Sequence, residues 1–173
     1  MSNMHKLLRS NGGPFALIPE KYLENWQGID GSLFFNSEDE TDYEVLCNLP
    51  FEHQGFSKLE NIRCFSIFEA SLCLETCIQN NTQFIVPGFT LYNNRTLLSC
   101  ILDGTIELEK RTKIITFEAE GHAPLILFDG AFPGKGINEH SRLAENGDYV
   151  IHEFQVTADN FLFDVYKLIP AVG

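Results

Sequence analysis

From Ile62 to Ile169, apolar and polar side chains alternate in short runs, each broken by Asn, Asp, Gly or Pro. A period of two puts successive side chains on opposite faces of a strand and cannot build the 3.6-residue stripe of a long helix. Ile62, Cys64, Ser66 and Phe68 alternate with Arg63, Phe65, Ile67 and Glu69, and Leu72, Leu74, Thr76 and Ile78 alternate with Cys73, Glu75 and Cys77. Both faces are partly apolar, as in strands packed on two sides. Residues 79–82, Asn93-Asn94 and Asn146-Gly147 are turn clusters, and Pro87-Gly88 stops a strand over 84–86. The run 96–102 predicts a strand, and Asp103-Gly104, ahead of a further strand over 106–108, predicts a hairpin turn. Strands are also expected over 113–117, 121–128, 148–156 and 161–169.

The first third reads differently. Residues 14–19 form an apolar run between breakers, which predicts a buried strand. Tyr22, Leu23 and Trp26 then share one face of a short helix that starts after Pro19 and stops at Gly28. Trp26 is expected in the core against Leu17 or Tyr22. Residues 30–40 read as a polar loop, and 41–47 as a helix capped by Thr41, with Glu44 completing a capping box. The predicted class is mostly β or α+β: antiparallel sheets of short strands, with one or two short helices near the N-terminus.

A chain of 173 residues is one domain by size, 1–173. A faint echo relates residues 13–19 to 123–129, each with a proline at the head of an apolar strand. Two related halves, about 1–104 and 105–173, are one reading of it; chance similarity between two ordinary strands is the other.

Charge narrows the partners. Acidic residues number 24 against 12 basic, a formal net charge of −12. Phosphate backbones require a Lys/Arg footprint, so nucleic acid is not an expected partner, and an anionic membrane surface would repel this chain. A basic protein would attract it. The first nine residues carry no long apolar stretch and no window approaches a membrane span, so a cytoplasmic protein is expected. The five cysteines then read as reduced thiols, mostly small apolar core residues.

No enzyme signature emerges. The glycine-rich stretch 130–136 lacks the spacing of a phosphate loop, Cys73 and Cys77 are wrongly spaced for zinc, and the five histidines are scattered. No catalytic residue, metal or cofactor is assigned. Glu38, Asp39, Glu40, Asp42 and Glu44 place five carboxylates within seven residues, just after Phe34 and Phe35. As a partner-binding set, the charges would steer a basic protein and the rings would anchor it. A solvated loop is the alternative reading. A small-molecule-binding or hydrolytic β domain, with its site near residues 129–136, is the alternative function.

Three segments together resemble the immunity protein 21 family. They are Ser10-x-Gly12-Gly13-Pro14 followed by Pro19-Glu20, then Trp26-x-Gly28, then Asp42-Tyr43-Glu44-x-x-Cys47. Residues 124–134 and Gly147-Asp148-Tyr149-x-Ile151 are similar to its second half, whereas 65–89 depart from the pattern. The resemblance implies a bacterial antitoxin-like protein that binds a cognate toxin domain inside the producing cell and blocks it. It implies no catalytic residues.

Overall fold

The computed structural model describes residues 5–10, 13–49, 54–56, 63–67, 73–117, 124–142 and 148–171. The turn expected at Asn146-Gly147 and the start of the strand expected from Gly121 lie outside them. Among the described residues the chain forms eleven strands: β1 (Lys6–Arg9), β2 (Phe15–Pro19), β3 (Gln54–Phe56), β4 (Arg63–Ile67), β5 (Cys73–Gln79), β6 (Thr82–Pro87), β7 (Lys110–Phe117), β8 (Leu125–Asp129), β9 (His140–Arg142), β10 (Tyr149–Ala158) and β11 (Phe161–Pro170). They pair antiparallel into a six-stranded sheet, β1-β5-β6-β11-β10-β7, and a five-stranded sheet, β3-β4-β2-β8-β9. The mostly β class read from the alternation is the class observed.

The hairpins close where asparagine accepts a left-handed backbone. Asn80 and Asn81 have φ of 51° and 61° between β5 and β6, and Asp159 and Asn160 have φ of 48° and 67° between β10 and β11. Two successive positive φ values give the turn whose twist matches that of the flanking strands.

The two sheets bury a shared core. Phe15 and Leu17 of β2, Leu127 of β8 and Phe65 of β4 meet Leu74, Ile85, Ile151 and Leu168 from the six-stranded sheet. The rings of Phe65 and Tyr166 cross the gap edge to face at 5.9 Å. One polar contact also spans it, a 2.9 Å hydrogen bond between the hydroxyls of Thr76 and Ser141.

Each sheet is also covered on its outer face, which is why strands such as β2 and β8 are buried along their whole length. Over the six-stranded sheet lies α2 (Leu97–Leu102), packing Leu97, Leu98 and Ile101 on Phe84, Val86, Phe154 and Phe163. This corrects the strand expected over 96–102. A six-residue run with five apolar side chains fits either period, and the deciding signal is the cap: the Thr96 hydroxyl accepts the Ser99 N–H at 3.1 Å. Asp103-Gly104 is then the helix end rather than a hairpin, with Gly104 at φ 79°. Residues 106–108 form no strand.

Over the five-stranded sheet lie 3-10 turns at Glu20–Asn25 and Gly28–Asp30, the loop beyond them, and α1 (Asp42–Cys47). The capping box on α1 is present in both directions, Glu44 N–H to Thr41 Oγ1 at 3.1 Å and Thr41 N–H to Glu44 Oε2 at 2.7 Å. Trp26 packs in this outer layer with Tyr22, whereas Leu17 faces the opposite side, into the core between the sheets.

The segments of the faint echo, β2 and β8, lie side by side, with Ala16 opposite Phe128 and Leu17 opposite Leu127. Both sheet orders read alike from either end once β1, β2, β4, β5 and β6 are matched with β7, β8, β9, β10 and β11; β3 is the extra strand among the described residues. Each sheet draws strands from both halves of the chain.

Candidate functional site

Asp42, the first residue of α1, organises the layer over the five-stranded sheet. Its carboxylate is wholly buried and accepts four hydrogen bonds: from the N–H groups of Gln27 (2.9 Å), Phe34 (3.2 Å) and Phe35 (2.9 Å), and from the Ser32 hydroxyl (3.3 Å). A buried carboxylate is tolerated because amide donors replace its hydration, and position near a helix N-terminus favours its charge. The Ser32 oxygen in turn accepts the Ser37 N–H at 2.9 Å, Ser37 Oγ accepts the Glu40 N–H at 3.2 Å, and Asn48 donates to Glu40 at 2.7 Å. The loop from Gln27 to Thr41 is therefore held by side chains along its length.

This geometry divides the seven residues expected to bind a partner. Phe34 and Phe35 are core residues, 0% and 5% exposed, and pack on Trp26 at ring distances of 5.3 and 5.7 Å. A ring with no free surface cannot anchor a partner, so the aromatic half of that expectation is corrected. Asp42 is likewise internal. Glu38, Asp39, Glu40 and Glu44 remain at the surface. The Glu44 carboxyl is held below its ordinary range by the backbone and side-chain hydrogen bonds of the Thr41 cap.

The motif residues scattered through the sequence meet in this same layer. The Ser10 hydroxyl accepts the Gly13 N–H at 3.1 Å, and the Gly130 N–H donates to the Pro14 carbonyl at 3.1 Å. Trp26 Nε1 donates to the Gly130 carbonyl at 2.9 Å, and the Gly134 N–H donates to the Trp26 carbonyl at 2.8 Å. The Ile29 N–H donates to the Ala131 carbonyl at 3.1 Å. Gly134 and Gly28 thus serve close backbone approach: a Cβ on Gly134 would strike the Leu23 carbonyl, and one on Gly28 (φ 59°) would strike the Ala131 carbonyl. Tyr43 and Cys47 lie one helical turn apart on α1, and burial, with the neighbouring Cys47 thiol, pushes the Tyr43 hydroxyl up. Sequence reading identified these motifs but gave no sign that they share one network.

An open cleft of about 560 Å³ lies at the end of β8, in the region proposed for a small-molecule site. Arg9, Asp129, Phe132, Lys135, Ile137 and Glu139 line it. Asp129 is buried, and its Oδ1 accepts the Ala131 N–H at 3.0 Å, so it shapes the turn that leads into the loop. Burial raises the thiols of Cys47, Cys64, Cys73 and Cys77, which works against an activated nucleophile at these four positions, and for Cys73 this outweighs the nearby Arg9 guanidinium. Cys64, Cys77 and Cys100 are buried, Cys73 is partly exposed, and Cys47 is exposed. Among the described residues, no three His, Cys, Asp or Glu side chains are grouped to hold a metal, and no helix is long and apolar enough to cross a membrane.

No family model matches the chain, and no curated protein or solved structure is detectably similar to it.

Proposed function

We propose that this chain is an immunity-type protein of the cytoplasm that binds a cognate toxin domain and occludes its active site or substrate groove, with no turnover of its own. The observation that carries the reading is the surface placement of Glu38, Asp39, Glu40 and Glu44 on a loop and helix braced from beneath by Asp42. Charges on a pre-ordered frame attract a basic partner without a further ordering penalty on binding. A nuclease toxin needs a basic groove to hold phosphates, and an acidic ridge can fill it. The motif resemblance to the immunity protein 21 family supports the same reading. The test is co-production with the toxin domain encoded beside this chain: growth is restored if the reading holds, and unrelieved toxicity refutes it.

The cleft at β8 favours a second reading, a small-molecule-binding or hydrolytic β domain with its site near residues 129–136. Its volume is in the range of ligand pockets, and it offers charges of both signs beside apolar Phe132 and Ile137. Under this reading a metabolite would raise the melting temperature of the isolated protein, and Lys135→Ala would abolish the rise.

A further inference from the structure

Three large apolar side chains stand exposed on the layer that covers the five-stranded sheet: Ile29 (60%), Leu33 (46%) and Phe132 (46%). Their backbones are neighbours. The Asp42 carboxylate holds the amides of both Gln27 and Phe34, which brings together the segments carrying Ile29 and Leu33. The Ile29 N–H donates to Ala131, which sets Phe132 beside Ile29. Exposed apolar side chains carried on neighbouring backbone segments are a pattern of protein contacts, where a few desolvated anchors hold the complex.

The surrounding charge selects the partner. Between Glu20 and Leu49 the chain carries eight carboxylates and one cation, Lys21; only Asp42 among those carboxylates is buried, Glu20 is paired with Arg142, and Arg9 and Lys135 stand in the cleft beside Phe132, so carboxylates still outnumber cations around the three side chains. A second exposed apolar group, Tyr92, Phe161 and Leu162, stands away from this layer; near it Asp103 pairs with Arg95, and Asp159 accepts the Tyr92 N–H. The first surface fits a basic partner; the second carries no comparable field.

We infer that Ile29, Leu33 and Phe132 form the apolar anchor of a docking surface whose occupant is a basic protein domain. The inference rests on the toxin-binding reading and takes over the role that Phe34 and Phe35 cannot fill. The experiment measures dissociation of the purified complex with the adjacent toxin domain for Ile29→Ser, Leu33→Ser and Phe132→Ser, singly and together, with Tyr92→Ser and Leu162→Ser as controls. All five side chains are exposed, so thermal melting should stay close to that of the parent protein. The expected result is dissociation at least tenfold faster for the triple variant, with the controls unchanged. A complex that forms normally and dissociates at the parent rate in the triple variant overturns the inference and leaves the toxin-binding reading standing. Faster dissociation only in the controls does the same and moves the contact to the α2 side. If the parent protein forms no complex, both fall.

Discussion

The indole N–H of Trp26 donates to the carbonyl oxygen of Gly130 at 2.9 Å, closing a contact across 104 residues of chain. Trp26 has no exposed surface and packs against Phe34, Phe35 and Phe128. Its indole joins the helical layer to the loop after β8, so it carries both packing and register. Trp26→Ala should cost about 3–5 kcal/mol in denaturant unfolding. Trp26→Phe keeps a ring but strands the Gly130 carbonyl, and should cost about 1–3 kcal/mol. A loss below about 1 kcal/mol for the alanine variant would contradict this packing.

Asp42→Ala removes the acceptor of three backbone amides within the folded layer. A buried donor left without a partner costs about 1–3 kcal/mol, and the three act together, so a loss of roughly 3 kcal/mol or more is expected. Asp42→Asn retains one acceptor oxygen and should fall between the parent and the alanine variant. Amide hydrogen exchange at Phe34 and Phe35 should rise in both. Unchanged exchange there would mean that the carboxylate does not hold the loop.

Gly134→Ala sets a methyl group against the Leu23 carbonyl, which belongs to backbone and cannot swing aside. Overpacking of this kind costs about 1–3 kcal/mol. Gly136, with nothing near its Cβ position, is the contrast. Its left-handed backbone at φ 79° still favours glycine, so Gly136→Asn is the fitting control and should be close to neutral in thermal melting.

Acid should loosen the end of α2 late in the descent of pH. The Thr105 hydroxyl and N–H, with the Arg95 guanidinium, hold the Asp103 carboxyl at about 2, below its ordinary 3.8. A depressed carboxyl pKa adds stability that is fully present above the unfolded value and is lost as pH falls from near 3.8 through about 2. Asp103→Asn should therefore lower stability at neutral pH and remove that part of the acid dependence. Parallel stability profiles for parent and variant between these limits would contradict the assignment.

The alternation from Ile62 onward made the sheets legible because a period of two leaves a strand little choice of face. Residues 96–102 were not legible, because an apolar run of that length suits either period and only the Thr96 cap separates the two. At the candidate site, the exposure of Glu38, Asp39 and Glu40 followed from their charge. Burial of Phe34 and Phe35 did not follow from theirs: an aromatic beside an acidic run can face either way. Here the amides of both residues are drawn to an aspartate several positions later, and Trp26 receives the rings. Ile29, Leu33 and Phe132 could not be grouped from sequence, since the bond from Ile29 to Ala131 spans the two halves of the chain.

The most direct test of the toxin-binding account is the association rate with the toxin domain proposed as its partner, measured across a salt series. The comparison is between the parent protein and a variant with Glu38, Asp39, Glu40 and Glu44 changed to their amides. Screening acts over about 8–10 Å at ordinary ionic strength, so a steered encounter slows as salt is added. The account predicts a steep salt dependence for the parent and a slower, flatter profile for the variant, with dissociation nearly unchanged. A parent rate that is independent of salt and equal to that of the variant would contradict it.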